Sequence, residues 1–370
     1  MTMTPLRNNT AIAIDGGGIR GLIVARALIA LEEELGGGPL IEHPQIKILA
    51  GTSTGAIITA GIALGIKAAD IANLYMQLGQ KVFQPLAPRW IPKLLREGEK
   101  ALKVLLQPSM YPNKDIIELL RETIGSATGQ PDLTLSDLNE RLGPEKVLIC
   151  TTVNILERQT HFLKSYKRKY GDWKLWEAIL ASSSAPLALP VFPHTDPEGK
   201  TAYYTDGGVG SYGNPGYVAG HEALRFRTYP PQEVTILSFG TGRVETATFE
   251  RERGKPSNWH AIDWAINAPT LLTEDTARAQ SIDILDAAAA QGLDFRRFQV
   301  SLPKEITGDD FADSATYTLM QTLGETLGNR ISNNQYAPNA DPNFDPEGLY
   351  VGLQQIQASR SALSSKSTVI

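Results

Sequence analysis

The sequence predicts an α/β domain, because short apolar runs alternate with helical segments along most of its length. The first such unit is the apolar run 11–14, followed by a glycine-rich turn and a helix over about 22–35. The second is the run 46–50, a turn at 51–55 and an apolar helix over 56–64. We expect the two strands to be neighbours in one parallel sheet, with both turns at its carboxyl edge, where ligand sites of open α/β sheets lie.

A nucleophile is predicted at the second turn, which reads Gly-Thr-Ser-Thr-Gly. The pattern Gly-x-Ser-x-Gly between a strand and a helix is typical of a nucleophile elbow, whose sharp turn exposes the serine Oγ. Gly51 and Gly55 leave room for this turn, and the helix that follows favours negative charge at its N-terminus. We therefore predict that Ser53 is the nucleophile. A glycine-rich turn with an incidental serine is the competing interpretation, which the flanking strand and helix disfavour.

The first turn, Asp-Gly-Gly-Gly-Ile-Arg-Gly at 15–21, predicts a binding site for an anionic oxygen. Consecutive glycines let several backbone N–H groups point into one concavity beside a helix N-terminus. Gly16, Gly17 and Gly18 are therefore candidates for an oxyanion hole that stabilises a tetrahedral intermediate of acyl transfer. Arg20 has two interpretations, a positive charge for the oxyanion or a substrate phosphate, and a side chain that orders the loop.

The same turn also matches the dinucleotide fingerprint Gly-x-Gly-x-x-Gly, which ends here at Gly21. A dinucleotide fold needs an acidic residue after its second strand to hold the ribose. In this chain the second strand is followed by the serine turn at 51–55, which contains no acid. A dinucleotide oxidoreductase is therefore disfavoured, and it would require a bound nicotinamide or flavin.

A base for the serine is predicted at Asp206, which ends a strand over 201–205 and precedes Gly207 and Gly208. A serine nucleophile needs a base within hydrogen-bond reach, and partial burial would raise the pKa of an aspartate towards a useful range. A turn aspartate bonded to its own backbone is the competing interpretation, and local evidence alone favours it. Of the five histidines, His221 and His260 follow Asp206 in the chain order of a hydrolase triad, but neither lies on a short loop after a strand, where that triad places its histidine.

The composition limits the ligands that the protein can be expected to bind and the compartment in which it works. The 370 residues have a formal net charge of −5, which gives no reason to expect DNA or RNA binding. The single cysteine, Cys150, lies in an apolar run and excludes an intrachain disulfide, which fits a reducing compartment. A polar N-terminus and the lack of a long apolar segment predict a soluble cytoplasmic protein, at most peripheral at a membrane.

Three further segments have two interpretations each. A breaker-rich, lysine-containing segment at 85–110 is a candidate lid or an ordinary surface helix. A basic and aromatic stretch at 164–174 suits a phosphate-rich ligand, although a solvated loop is favoured slightly. The serines at 182–184 could in principle be nucleophiles, but none of them lies on a strand-to-helix elbow.

Together, the motifs at 15–21, 51–55 and 206–208 resemble those of the patatin-like phospholipase family, as do Leu-Trp-Glu-Ala at 175–178 and the stretch at 183–186. The resemblance covers about residues 10–245 and implies a three-layer α/β fold with a mainly parallel central sheet flanked by helices. It implies a Ser–Asp dyad of Ser53 and Asp206 that hydrolyses acyl esters of phospholipids or galactolipids at a membrane surface, without metal or cofactor. The chain departs from the family's Asn-Asn-Pro at 213–215, which reads Gly-Asn-Pro.

The expected organisation is a catalytic core at 10–245, a helical C-terminal part at 246–330 packed on it, and a polar tail at 331–370. Some bacterial members of this family resemble effectors of antiviral defence that a cyclic dinucleotide switches on. The resemblance makes 164–174 and the helices after 259 candidate sites for such a nucleotide. Another alternative is a lipid- or nucleotide-binding module whose hydrolase site is silent. Ester turnover with and without activators distinguishes these functions.

Overall fold

The computed structural model describes residues 3–81, 109, 111–186, 188–244, 246–304, 306 and 313–337. Their strands are β1 (Asn9–Ile14), β2 (Ile46–Thr52), β3 (Val147–Asn154), β4 (Gln159–Lys164), β5 (Phe192–Thr195), β6 (Thr201–Asp206), β7 (Val234–Phe239), β8 (Arg243–Val244), β9 (Asp294–Phe298) and β10 (Ser301–Leu302). Their α-helices are α1 (Gly21–Glu34), α2 (Thr54–Ala63), α3 (Ala68–Lys81), α4 (Asn113–Thr128), α5 (Leu135–Leu142), α6 (Leu175–Ser183), α7 (Gly216–His221), α8 (Thr246–Arg253), α9 (Ala261–Gln291) and α10 (Ser314–Ser332).

Eight strands form one central sheet in the order β5-β6-β3-β2-β1-β7-β9, with β4 paired to β3. The pairs from β3 through β2, β1 and β7 to β9 are parallel, whereas β4, β5 and β6 run antiparallel to their neighbours. Strands β8 and β10 form a separate parallel pair. The predicted α/β class, with a mainly parallel sheet flanked by helices, is confirmed.

The sheet is buried on both faces, as expected for a parallel sheet covered by helices. Alternate side chains of β1 point to opposite faces of the sheet. Ile12 and Ile14 belong to one apolar cluster, and Ala11 and Ala13 belong to the other. The first cluster includes buried side chains of α1, α2, α3, α4 and α6, and the second includes those of α7 and α9. The helices therefore form two layers with the sheet between them.

The C-terminal part contributes more than helices to this core. Strand β9 pairs in parallel with β7 and extends the central sheet. Helix α10 packs closely on α1, where a Cβ on Gly324 would lie 2.9 Å from the carbonyl oxygen of Ile23. This helix continues to Ser332, beyond the expected start of the tail at 331.

Two of the predicted segments lie mostly outside the described residues. These are the lid candidate at 85–110, of which only residue 109 is described, and the tail beyond 337. Among the described residues, no helix has the length and apolarity needed to cross a membrane. Cys150 is buried in β3, and burial raises the pKa of its thiol to about 12, so it behaves as a small core side chain.

Candidate active site

Ser53 lies at a strained turn between β2 and α2. Its backbone has φ 55° and ψ −123°, outside the regions that non-glycine residues prefer. The turn brings α2 against β1, where a Cβ on Gly55 would lie 2.7 Å from the carbonyl carbon of Ile14. The predicted strand–turn–helix context of the serine motif is therefore present, and the requirement for glycine at 55 is steric.

Strand β3 brings the two predicted catalytic residues together. Thr151 pairs with Thr52, the last residue of β2, while the next residue, Thr152, pairs with Asp206 at the end of β6. The two strands thus pair with adjacent residues of β3. Ser53 directly follows the end of β2, so Ser53 and Asp206 meet at the carboxyl edge of this strand. The Ser53 hydroxyl lies close enough to the Asp206 carboxylate for hydrogen bonding to lower the pKa of that carboxyl.

The Asp206 carboxylate lies in a buried site, with 5% of the residue exposed. Its Oδ1 accepts a hydrogen bond of 2.7 Å from the N–H of Gly208. Burial raises the pKa of Asp206 to about 6, and the hydrogen bonds from Ser53 and Gly208 offset part of that rise. The carboxylate is therefore a better proton acceptor near neutral pH than an exposed aspartate.

The end of α6 holds the backbones of both residues. Ser182, which is fully buried, accepts a hydrogen bond of 3.0 Å from the N–H of Ser53 through its Oγ. The carbonyl oxygen of Ser184 accepts one of 3.0 Å from the N–H of Asp206. Sequence reasoning treated these serines only as weak nucleophile candidates and missed this role. The run of small residues at 181–186 is the sequence signal for this role, because small side chains allow close backbone packing.

The glycine loop after β1 lies beside the nucleophile. A Cβ on Gly16 would lie 3.3 Å from the Cβ of Ser53. The Gly16 N–H donates a hydrogen bond of 3.1 Å to the carbonyl oxygen of Gly213. No hydrogen bond from the N–H of Gly17 or Gly18 is found within the described part of the chain. These two N–H groups are therefore available to a ligand.

Two arginines fix this loop. Arg20 donates from Nε to the carbonyl oxygen of Gly17 and from Nη1 to that of Gly242, both at 3.3 Å. Arg297 of β9 forms a buried two-pronged ion pair with Asp15, at the start of the loop. The contacts of Arg20 are those of the loop-ordering interpretation. The Arg297 pair joins residues 282 positions apart, and no local pattern pointed to it.

Helix α9 forms hydrogen bonds with the segment that follows Asp206. Thr273 donates a hydrogen bond of 3.3 Å to the carbonyl oxygen of Gly208, and Ser281 accepts one of 2.8 Å from the side-chain amide of Asn214. Thr52 in turn donates to the carbonyl oxygen of Tyr212 at 2.6 Å. The segment 207–214 thus contacts both the elbow and α9.

The remaining motif glycines lie at the ends of elements around this site. Gly21 begins α1, Gly51 lies in β2, and Gly207 begins the turn after β6. Within the described residues, no group of three or more histidine, cysteine or acidic side chains has the arrangement of a metal site.

A model of the patatin-like phospholipase family matches residues 12–215, more than half of the chain. The chain belongs to this family. The match contains the glycine loop, the elbow and the Asp-Gly-Gly turn. The predicted family is confirmed, and the chain is a hydrolase of carboxylic esters in a family of lipid acyl hydrolases.

The similar proteins cover most of the chain. The "cGAMP-activated phospholipase" of Vibrio cholerae is 25% identical over 330 residues, which are 84% of this chain and 87% of that protein. "Patatin-like protein 1" of Oryza sativa subsp. indica is 28% identical over 77% of this chain and 71% of its own. Among solved structures, VipD from Legionella pneumophila covers 90% of this chain and 68% of its own, at TM-score 0.44 and 14% identity.

The histidines that could have completed a triad have other contacts, and none is recorded as a hydrogen-bond partner of Ser53 in the described residues. His161 bonds Glu157 at 2.7 Å, and the ring of His194 stacks on Trp173 with centroids 3.7 Å apart. His221 packs in α7 beside the ring of Tyr217.

The basic stretch at 164–174 begins at the opposite end of the sheet from the dyad. Strand β4 runs antiparallel to β3, so Lys164 pairs with Ile149 near the start of β3 rather than with its end. The Lys164 ammonium is buried and bonds Glu222 at 2.7 Å. The charge of Lys164 is therefore paired inside the protein. Helix α9, which belongs to the other region predicted as a candidate nucleotide site, contacts the segment 207–214.

Proposed function

We propose that this chain hydrolyses the acyl esters of phospholipids through a dyad of Ser53 and Asp206. The observation that carries the proposal is a buried carboxylate with a pKa raised to about 6, which lies close enough to the Ser53 hydroxyl for that hydroxyl to lower the pKa by hydrogen bonding. A carboxylate with a pKa near the working pH is suited to general-base catalysis. The strained turn of Ser53 between a strand and a helix is suited to nucleophilic attack.

In the first half of the proposed reaction, Asp206 accepts the hydroxyl proton while the Ser53 Oγ attacks the acyl carbonyl carbon. The resulting oxyanion takes hydrogen bonds from the N–H groups of Gly17 and Gly18. Gly16 could join them only if its bond to Gly213 opened. The intermediate then collapses, the lysophospholipid oxygen leaves with the proton from Asp206, and an acyl-serine remains.

In the second half, a water molecule loses its proton to Asp206 and attacks the acyl-serine. The fatty acid leaves, and the proton returns to the Ser53 Oγ. Arg20 supports both halves by holding the carbonyl oxygen of Gly17, which orients the glycine loop. The proposed steps need no metal or cofactor, because Asp206 moves the proton and backbone N–H groups stabilise the charge.

The test is covalent labelling of the nucleophile together with fatty-acid release from phosphatidylcholine vesicles. We expect an alkyl fluorophosphonate to label the peptide that contains Ser53, and Ser53→Ala to lose both labelling and hydrolysis. Ser126→Ala, at an exposed serine, is the matched control. Activity that survives Ser53→Ala, or that requires added metal after treatment with EDTA, would refute this mechanism.

We also propose a second candidate, a phospholipase that a cyclic dinucleotide activates. Its support is the similarity to the "cGAMP-activated phospholipase" of Vibrio cholerae over 84% of this chain. We expect cGAMP to raise the rate of fatty-acid release from the same vesicles. Activation would be contradicted if cGAMP changed neither the rate of fatty-acid release nor the oligomeric state, measured as the elution volume in size-exclusion chromatography. A protein that binds cGAMP without any ester turnover would instead be a binding module with a silent site.

A further inference from the structure

A cavity of about 70 Å³ lies next to the dyad without including it. Gly16 and Gly213, which are joined by a hydrogen bond, line this cavity, whereas Ser53 and Asp206 do not. A Cβ on Gly16 would lie 3.3 Å from the Cβ of Ser53, so Gly16 lies between the cavity and the nucleophile. The volume suits a few water molecules or one tetrahedral oxyanion and is too small for an acyl chain.

The lining of this cavity carries an excess of positive charge although the chain as a whole is negative. Arg297 and Asp15 line it as a mutually bonded ion pair. The other charged side chains of the lining are three arginines and one glutamate, namely Arg20, Arg243, Arg278 and Glu274. The formal charge of the lining is thus positive by two.

Arginine is the side chain best matched to phosphate, because its planar guanidinium presents several N–H donors in a fixed fork. Arg20 uses its Nε and one Nη1 hydrogen in the contacts with Gly17 and Gly242, and its Nη2 has no recorded partner in the described residues. We propose that Arg20, Arg243 and Arg278 bind a phosphodiester group in this cavity. Arg243 and Arg278 lie beyond the stretch 12–215 that matches the family.

The position of the cavity connects its ligand to catalysis. The side chain of Arg20 holds the loop that carries Gly17, and α9, which supplies Arg278, also holds the carbonyl oxygen of Gly208. A phosphodiester bound here contacts Arg20 and Arg278, and the side chain of Arg20 and helix α9 each hold one of the two loops that flank the dyad. Two ligands share this chemistry, the headgroup phosphate of a phospholipid and a phosphate of a cyclic dinucleotide.

The experiment has two arms with the same variants, Arg278→Gln and, as a matched control, Arg225→Gln at an exposed arginine outside this cavity. The first arm compares fatty-acid release from phosphatidylcholine and from diacylglycerol in mixed micelles. The second measures binding of radiolabelled cGAMP by equilibrium dialysis. Circular dichroism verifies folding, and Arg278→Lys, which keeps the charge but loses the fork, replaces the glutamine variant if that one is unfolded.

For a lipid phosphate, we expect Arg278→Gln to lower the ratio of kcat/KM for phosphatidylcholine to that for diacylglycerol about tenfold or more, the effect of losing a charge-assisted hydrogen bond. For a nucleotide phosphate, we expect a similar loss of cGAMP affinity. Arg225→Gln should change neither quantity. A folded Arg278 variant that matches Arg225→Gln in both arms would overturn the phosphodiester site.

The lipid arm rests on the proposed acyl hydrolase activity. The experiment distinguishes a failure of the cavity proposal from a failure of the hydrolase proposal. If the wild type hydrolyses both lipids and the Arg278 variants change nothing, the cavity proposal fails and the hydrolase stands. If the wild type hydrolyses neither lipid but binds cGAMP through Arg278, the hydrolase fails and the cavity proposal stands. A wild type that neither hydrolyses nor binds would contradict both.

Discussion

The buried carboxylate of Asp206 should make the stability of the protein fall as the pH rises. Burial raises the pKa of Asp206 from an ordinary value of 3.8 to about 6. The folded protein therefore holds this proton more tightly than the unfolded chain does. The contribution to stability is fully present below about pH 3.8 and is lost as the pH rises through about 6. The difference between these pKa values corresponds to roughly 3 kcal/mol of unfolding free energy.

Replacement of Asp206 by asparagine removes this titration and keeps the size of the side chain. We expect the unfolding free energy of Asp206→Asn, relative to wild type, to increase between pH 5 and pH 7.5 by about 1.4 kcal/mol, the part of the total that falls in this interval. Urea unfolding followed by tryptophan fluorescence at several pH values measures it. The matched control is Asp172→Asn at an exposed position. A difference between Asp206→Asn and wild type that is constant across this range would refute the reasoning.

Three further predictions concern catalysis. The kcat/KM for acyl esters should fall about tenfold per pH unit below about pH 6 and level off above it, because the Asp206 carboxylate is the base; a flat profile from pH 5 to 8 would contradict this. Ser182→Ala deprives the Ser53 N–H of its acceptor and should lower kcat about tenfold with little change in KM. Gly17→Ala would bring a Cβ to 2.6 Å from the Cβ of Thr241, so kcat should fall about a hundredfold in steady-state assays. Adding Thr241→Gly should restore part of it.

The parts of the site that the sequence predicts are those that depend on a local turn. Glycine at 51 and 55 around Ser53, after an apolar run, predicted the elbow. An aspartate before two glycines at the end of a strand made Asp206 a candidate base, and the family resemblance then favoured it over an ordinary turn aspartate. The contact between Ser53 and Asp206 is set by β3, whose residues Thr151 and Thr152 pair with both strands. No local pattern encodes which strands share a partner, so their proximity rested on the family resemblance.

Contacts between distant segments could not be predicted from the sequence, because no local pattern encodes which segments pack together. Ser182 appeared as a candidate nucleophile, but its Oγ serves the backbone of Ser53, 129 positions away. The basic stretch at 164–174 looked suited to a ligand, yet the antiparallel direction of β4 takes its start to the far end of the sheet. Strand direction and pairing depend on tertiary packing, which apolar periodicity does not report.

The central claim is that Asp206, and not a histidine, activates Ser53. Fatty-acid release from phosphatidylcholine vesicles by Ser53→Ala, Asp206→Asn and His221→Ala tests it most directly. We expect the first two variants to lose activity by about a thousandfold or more, since members of a catalytic unit fail together, while His221→Ala keeps most of the wild-type rate. A folded His221→Ala without activity, or an Asp206→Asn variant at the wild-type rate, would contradict the account.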